Sequence, residues 1–226
     1  MTSIETSLAE VHRRIAAATA RADRSEGVTL VAVTKGVNAD RIRAAISLGV
    51  THLGENRIQD AAPRIAAIGR HAVRWHMIGH LQRNKVRPAV ELFDVIQSVD
   101  SLGLAKDLSR RSATPVEILL QVNVSGERQK FGFSPDTIEE AVTEIAALPR
   151  LKQTGLMTIA PMTDDPETVR PVFRQLRELR DALNNLDIPG LDLVHLSMGM
   201  TDDFEVAIEE GATIVRIGRA IFGDRT

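Results

Sequence analysis

The 226-residue chain has the composition of an ordinary globular protein, with 43% hydrophobic and 26% charged residues and a net charge of −2 at pH 7. This small charge gives no electrostatic reason to expect nucleic acid or a membrane surface as a partner, and an aromatic content of 3% leaves few rings for base stacking. The absence of cysteine excludes disulfides, thiolate metal sites and a cysteine nucleophile. The sequence has neither a secretory signal nor an apolar run of about 20 residues, so we expect a cytoplasmic protein.

The chain opens with an amphipathic helical pattern over residues 3–23, because Ile4, Leu8, Val11 and Ile15 recur at spacings of three and four. After Gly27, short apolar or β-rich runs alternate with helical patterns. The predicted strands are residues 29–34, 51–54, 74–78, 95–99, 117–124, 154–159, 191–196 and 213–217. The predicted helices are residues 39–48, 57–68, 83–92, 101–111, 135–147, 166–186 and 202–210, with a last short helix from Arg219.

Strand–helix alternation predicts parallel strands joined by helical crossovers. Eight such units in about 200 residues predict an α/β fold, a (β/α)8 TIM barrel that forms a single domain over residues 1–226, with an extra N-terminal helix. A doubly wound open sheet is the alternative, but it usually has fewer strands, and no Gly-x-Gly-x-x-Gly follows the first strand here. Two helix starts carry capping signals: Ser134 before Pro135, and Asp202 with Glu205 as a capping box.

In such barrels, phosphate groups often bind at the loops after strands seven and eight. Ser197 offers a hydroxyl after the seventh strand, and Gly199 allows close backbone approach just before the predicted 202–210 helix. Gly218 and Arg219 follow the eighth strand and open a short helix, whose free N–H groups attract anions. These two strand ends predict an anion cradle. The alternative is that both glycines merely terminate their strands.

Lys35 closes the first predicted strand and shares a face with Val31 and Val33. Lysine is rare among the 28 basic residues, the others being Lys85, Lys106, Lys130 and Lys152. Lys35 is either a surface group reaching out of the barrel mouth or an amine held for covalent chemistry, because a desolvated amine near other cations can form a Schiff base with a carbonyl. Together with the anion cradle, the second option predicts a phosphate-bearing aldehyde as ligand. Pyridoxal 5′-phosphate and the sugar phosphates of lysine-dependent aldolases both fit this description.

Several segments carry motifs of one family, in that family's order: Val31-Ala-Val-Thr-Lys35, Gly54-Glu-Asn56, His76-Met-Ile-Gly-His-Leu-Gln82 with Asn84-Lys85, Leu196-Ser-Met-Gly-Met-Thr-Asp-Asp203 and Arg216-Ile-Gly-Arg-Ala-Ile-Phe-Gly223. Over essentially its whole length the chain resembles the pyridoxal phosphate homeostasis proteins, the YggS/PROSC group. The resemblance implies a fold-type III pyridoxal-phosphate barrel, related to the N-terminal domain of alanine racemase. Thr201 departs from the family pattern, in which serine is common, and Arg83 stands where a small polar residue is common.

The resemblance also implies roles for individual residues. Lys35 would hold the cofactor, pyridoxal 5′-phosphate, as a Schiff base, and Arg216 would lie near the pyridine nitrogen. Asn56 would line the ring pocket. The full set of cofactor-binding residues implied is Lys35, Asn56, Ser197, Met198, Gly199, Met200, Arg216, Gly218 and Arg219, with the phosphate held by Ser197 and the backbone around Gly218 and Arg219. No catalytic residue is predicted.

Arg216 favours a carrier over a catalyst. Strong carbanion stabilisation needs a protonated pyridine nitrogen with an acidic partner, whereas arginine only donates hydrogen bonds. In the related racemases a tyrosine from a second domain completes proton transfer, and this chain has no tyrosine. We therefore predict a vitamin B6 homeostasis protein that stores, protects or transfers its cofactor, with apo-enzymes as recipients. The alternatives are a weak racemase or decarboxylase and a protein–protein adaptor, and we expect a monomer.

The remaining titratable residues are assigned structural roles. His76 and His80 lie on a strand and the loop after it, without a helical metal-binding motif, so no metal site is predicted. Lys85 and Lys130 are predicted to be surface groups. The pattern of Arg170, Arg174 and Arg177 with Glu178 and Asp181 is typical of a solvated helix face.

Overall fold

Eight parallel strands close into a barrel in the computed structural model, which describes residues 3–24, 27–127 and 129–223. The strands are β1 (Thr29–Val33), β2 (His52–Glu55), β3 (Arg74–Met77), β4 (Val95–Val99), β5 (Val116–Gln121), β6 (Leu151–Met157), β7 (His195–Ser197) and β8 (Ile214–Ile217). Each strand pairs with its neighbours in chain order, and β8 pairs with β1 to close the ring, with Thr29 opposite Ile214 and Ala32 opposite Ile217. The predicted barrel is confirmed.

Helices follow the strands, and one helix precedes them. They are α1 (Ile4–Arg21), α2 (Ala39–Ser47), α3 (Ile58–Ile68), α4 (Val86–Leu92), α5 (Leu102–Arg111), α6 (Ile138–Ala146), α7 (Arg170–Asn184), α8 (Phe204–Glu209) and α9 (Arg219–Phe222). Short 3₁₀ turns, Arg83–Lys85 and Pro166–Val169, lead into α4 and α7. The extra N-terminal helix predicted from the sequence is α1, which packs against α2, α8 and α9 where the first and last units meet. Within the described ranges, no helix is long and apolar enough to cross a lipid bilayer.

Strand side chains alternate between two apolar regions, as the pleat of a strand requires. The interior of the barrel contains a small separate cluster: Val31, Val95, Leu119, Met157 and Ile214. The larger core lies between the strands and the helices and includes the bulkiest buried side chains, Trp75, Phe93, Phe173 and Phe204. The interior is therefore filled by side chains rather than open, and any ligand must bind at an end of the barrel.

β5 ends at Gln121 rather than at residue 124, and two further strands differ from their predicted positions. β6 begins at Leu151 and ends at Met157, not at 154 and 159, and β7 covers only His195–Ser197 rather than residues 191–196. In the second case Leu193 is buried, but its backbone is not paired in the sheet. Its N–H donates to Asn184 Oδ1 at 3.0 Å and its carbonyl accepts from Asn184 Nδ2 at 3.3 Å. A side-chain amide at the end of α7 therefore replaces the strand ladder.

Both predicted capping signals are wrong. Ser134 bonds to the Thr137 hydroxyl at 2.9 Å within a turn, and α6 starts only at Ile138. Helix α8 starts at Phe204 without a side-chain cap. The residues of the expected capping box have partners elsewhere, because Asp202 pairs with Arg219 and Glu205 pairs with Arg14 at 2.6 Å. Tertiary ion pairs therefore take the place of the expected capping box at α8.

Three arginines of α7 converge on the carboxylate of Glu210, which is 5% exposed. Arg170, Arg174 and Arg177 approach it at 3.2, 3.0 and 2.9 Å. Burial opposes the charge, but hydrogen bonds from Arg174 and Arg170 prevail and hold the pKa of Glu210 below its ordinary value. Arg174, Glu178 and Asp181 are exposed, as a solvated face requires, but that interpretation missed the shared partner of the arginines. Their shared partner directly follows α8, more than thirty residues along the chain.

We expect Glu210→Ala to lower the free energy of unfolding by about 2 kcal/mol, because it removes the carboxylate that Arg174 and Arg177 share, while Arg170 keeps Glu167 and Glu209. The folded-state pKa of Glu210 is depressed, so its stabilising contribution exists above the pKa of the unfolded carboxyl and is lost as pH falls through the folded value. Urea unfolding at neutral and at acidic pH measures both effects. Glu10→Ala removes an exposed pair with Arg13 and should change little. Equal losses in the two variants at neutral pH would contradict the assignment.

Candidate functional site

Two cavities meet at Lys35, at the C-terminal ends of the strands. Lys35 is partly buried two residues after β1 ends, and within the described ranges its amine makes no hydrogen bond or ion pair. The first cavity, of about 590 Å³, lies beside the loops after β2 and β3 and is lined by Lys35, Asn56, Arg57, His80, Gln82 and Lys85, among others. The second cavity, of about 450 Å³, lies beside the loops after β7 and β8 and is lined by Lys35, Asn56, Met200, Thr201, Arg216, Gly218 and Arg219, among others.

The loop that carries Lys35 is fixed by the buried carboxylate of Glu55. The Thr34 hydroxyl donates to Glu55 Oε1 at 2.5 Å, and Arg64 Nη1 donates to Oε2 at 2.8 Å. Arg64 also donates from Nε to the Val37 carbonyl at 3.2 Å, so one guanidinium spans both ends of the loop. Burial raises the pKa of the Glu55 carboxyl, while the hydrogen bonds from Thr34 and the charge of Arg64 oppose that rise. Lys35 is thus held between two anchored neighbours.

The turn after β7 depends on Gly199, whose φ is +91°. A Cβ at this position would lie 2.7 Å from the Ala207 Cβ and 2.9 Å from the Phe204 Cα, so α8 packs directly onto the glycine. The Gly199 carbonyl accepts from the Arg216 N–H at 3.0 Å, which ties the turn to β8.

The next residues form the wall of the second cavity. The Met200 N–H donates to Asp203 Oδ1 at 2.6 Å, and burial raises the pKa of the Asp203 carboxyl. Asp202 pairs with Arg219, which joins this loop to the start of α9. Thr201 lies between these contacts, and in the described part of the chain its hydroxyl has no hydrogen-bond partner. The first N–H groups of α9 likewise have no acceptor within the helix.

Arg216 lies below the second cavity with its guanidinium inside the barrel. The residue is 4% exposed, donating from Nη1 to the Ser197 hydroxyl at 2.6 Å and from Nη2 to the Thr158 carbonyl at 2.8 Å. Burial lowers the pKa of Arg216 to about 10, with the Asp203 charge opposing this. A pKa of about 10 leaves the group protonated at neutral pH, so it presents donors only to anything in the cavity.

The structure brings most of the predicted site residues together. Lys35 and Asn56 line both cavities, and the second cavity is also lined by Met200, Arg216, Gly218 and Arg219. Ser197 and Met198 are fully buried behind its wall, together with the Gly199 turn. Sequence reasoning missed other polar residues at the cavities, of which two matter most here. Lys85, predicted to be a surface group, lines the first cavity, and Thr201 lines the second.

A signal for Thr201 was present in the sequence, since it replaces the serine that is common in the similar family. The histidines show no metal arrangement: His80 pairs with Asp100 at 2.8 Å and stacks on Phe131, while His52 contacts His76. In residues 3–24, 27–127 and 129–223, no three histidine, aspartate or glutamate side chains are grouped so that they could hold a metal ion.

Comparison with known proteins gives consistent matches over the whole chain. Residues 6–226 match the family model of the alanine racemase N-terminal domain. A pyridoxal phosphate homeostasis protein of Aquifex aeolicus (strain VF5) is 43% identical over 225 residues, which cover 96% of each chain. The structure of PipY from Synechococcus elongatus PCC7942 with PLP bound matches with a TM-score of 0.85 and 34% identity, over 98% of this chain and 100% of that one. Alanine racemase from Corynebacterium glutamicum shares the fold alone, with a TM-score of 0.74 and 16% identity, over 97% of this chain and 62% of that one.

We expect Gly199→Ala to lower the free energy of unfolding by about 3 kcal/mol, because a methyl group adds a clash with α8 to the cost of a positive φ. Gly49→Ala is the matched control. Gly49 has a φ of +96° with nothing within 4 Å of the added atom, so only the backbone cost of about 1 kcal/mol applies. Urea unfolding of the two variants separates the terms. If both lose the same free energy, the contact with α8 does not constrain the turn.

Proposed function

The chain belongs to the pyridoxal phosphate homeostasis proteins, and from this premise we propose that it binds pyridoxal 5′-phosphate covalently at Lys35 and carries it. One observation carries the proposal: the Lys35 amine, which has no ion pair among the described residues, lines the same cavity of about 450 Å³ as Thr201, Gly218 and Arg219. The relative PipY has the same fold and was solved with PLP bound. An aldehyde that bears a phosphate requires both features at once.

The residues of the second cavity fit this ligand. The Lys35 amine condenses with the aldehyde, so that a carbon–nitrogen double bond forms and water is released. The Thr201 hydroxyl and the N–H groups at Gly218 and Arg219 supply hydrogen-bond donors for the phosphate. Asn56 borders the position of the ring.

The remaining predicted contacts have different environments. Arg216 presents donors only and therefore suits a pyridine nitrogen that accepts a hydrogen bond. Met200 contributes to the cavity wall, whereas Ser197, Met198 and Gly199 support that wall from behind. A direct contact between Ser197 and the phosphate stays a prediction.

A carrier role follows from what surrounds Lys35. When bound, the cofactor can withdraw electrons from an amino acid, and this works best with an acidic group at the ring nitrogen. Arg216 stays protonated at neutral pH and cannot play that part. The chain has no tyrosine to act as a second base. Storage, protection and transfer of the cofactor to apo-enzymes is therefore the proposed activity, while a monomeric state and a cytoplasmic location stay predictions.

We expect borohydride reduction of the cofactor-loaded protein to attach the cofactor to Lys35, as seen by peptide mass spectrometry. Lys35→Ala should lose the visible absorbance of the bound cofactor, because no other amine lines the second cavity among its described residues. Lys106→Ala is the control, since Lys106 is an exposed residue paired with Glu144 on the outer helices. A reduced adduct on another lysine would overturn the assignment of Lys35.

We expect the loaded protein to reactivate a cofactor-dependent apo-enzyme faster than free cofactor does, when the free cofactor is supplied at the concentration that the loaded protein releases at equilibrium. Stopped-flow activity measurements with and without a phosphatase that destroys free cofactor distinguish direct transfer from release. Turnover of amino acids that disappears in Lys35→Ala would instead support the alternative of a weak racemase or decarboxylase. If the phosphatase abolishes reactivation of the apo-enzyme by the loaded protein, direct transfer does not occur and the carrier role is contradicted.

A further inference from the structure

A line of buried polar side chains runs through the barrel interior from Arg216 to the opposite end. Ser197 on β7 and Gln97 on β4 are fully buried, and His76 on β3 is 2% exposed. Gln97 and Val95 share a face of β4, as Arg216 and Ile214 share a face of β8, so the polar chain lies next to the apolar interior cluster. The last member, His52, is half-buried at the start of β2.

Contacts between successive members are all within hydrogen-bond distance. Arg216 Nη1 lies 2.6 Å from Ser197 Oγ, which lies 2.6 Å from Gln97 Oε1. Gln97 Nε2 lies 2.9 Å from His76 Nδ1, and His76 Nε2 lies 2.9 Å from His52 Nδ1. These hydrogen bonds form a continuous series from the wall of the second cavity to the N-terminal end of the barrel.

In this series of hydrogen bonds every donor points away from Arg216 and towards His52, because arginine can only donate. Ser197 accepts from Arg216, and it donates its single hydrogen to Gln97 Oε1, because an amide oxygen can only accept. The amide nitrogen of Gln97 donates to His76 Nδ1, which must be unprotonated. The proton of a neutral His76 is then on Nε2 and donates to His52 Nδ1.

The electrostatics of His76 agree with this direction. Burial lowers the pKa of His76 to about 3, with the neighbouring His52, Arg74 and His195 adding to the effect. Burial also lowers the pKa of His52. Both imidazoles are neutral at neutral pH, so His76 keeps one acceptor nitrogen and one donor nitrogen, as the chain requires.

We propose that Ser197, Gln97 and His76 are positioning residues, which hold the Arg216 guanidinium at the wall of the Lys35 cavity. Because the hydrogen of the Ser197 hydroxyl is directed at Gln97 Oε1, a lone pair of its oxygen is left to face Arg216. Gln97 presents that oxygen only while its amide nitrogen has an acceptor, which His76 supplies. The consequence for cofactor binding rests on the proposed function, whereas the direction of the chain and the restraint on Arg216 do not.

The first test uses the cofactor-free protein and needs no variant. In ¹⁵N-detected NMR of the histidine side chains at neutral pH, His76 should be a single tautomer with Nε2 protonated and Nδ1 unprotonated. A carboxylate cannot donate, so Gln97→Glu should move the proton of His76 to Nδ1. A wild-type His76 protonated at Nδ1, or charged at neutral pH, would overturn the proposal.

The second test measures restraint on Arg216, again without cofactor. Hydrogen exchange of the Arg216 side-chain N–H groups should be slow in the wild type and at least about tenfold faster in Gln97→Leu, because the Ser197 hydroxyl loses its acceptor. Gln153→Leu is the matched control. Gln153 is a buried glutamine on β6 whose amide nitrogen donates to the Val142 carbonyl, and it is not a member of the hydrogen-bonded series from Arg216 to His52. Equal exchange rates in Gln97→Leu and the wild type would overturn the proposal.

The third test brings in the cofactor. Gln97→Leu should raise the Kd for pyridoxal 5′-phosphate about tenfold and shift the absorbance maximum of the bound form, since Arg216 borders the same cavity as Lys35. Gln153→Leu should leave both unchanged. If the wild type does not bind the cofactor, the proposed function fails, while the two cofactor-free measurements still decide the positioning role. If the wild type binds and Gln97→Leu matches it in Kd and spectrum, the positioning role is wrong.

Discussion

A positive charge buried inside the barrel is the constraint on which the site depends. A guanidinium out of water is stable only if its N–H groups find acceptors and its charge finds compensation. For Arg216 the acceptors are the Ser197 hydroxyl and the Thr158 carbonyl, and the nearby Asp203 carboxyl compensates part of the charge. Asp203 also accepts a hydrogen bond from the Met200 N–H, so the same carboxyl compensates the Arg216 charge and fixes the cavity wall.

Lys35 is arranged in the opposite manner. Its neighbours are anchored, because Thr34 and Arg64 both bind Glu55, but its own amine is left without a partner among the described residues. The fold therefore restrains the backbone on either side of an amine that has no hydrogen bond or ion pair within the described ranges. A barrel suits this arrangement, because strands that lie far apart in sequence end at the same face.

The different environments of Arg216 and Lys35 fit the proposed carrier role better than a catalytic role. Arg216 keeps its proton and directs its donors, and the chain provides no tyrosine as a second base. The relative from Corynebacterium glutamicum shows the same barrel within a longer chain, of which this one covers 62%. The proposed carrier role rests on these two features, an arginine that keeps its proton at the cavity and a sequence without tyrosine.

The sequence by itself determined the barrel, since alternating periodicities of two and 3.6 residues are local properties. It also placed Lys35 and the strand ends around Gly199 and Gly218 at the same end of the barrel, because their positions follow from strand order alone. Element boundaries were less accurate, as β7 shows. Only the tertiary structure decided that the arginines of α7 bind Glu210, that Thr201 lines the cavity and that Ser197 faces Arg216 inside the barrel. These contacts join side chains from separate strands and helices. Such long-range contacts do not alter the local periodicity of the sequence, so no sequence pattern predicts them.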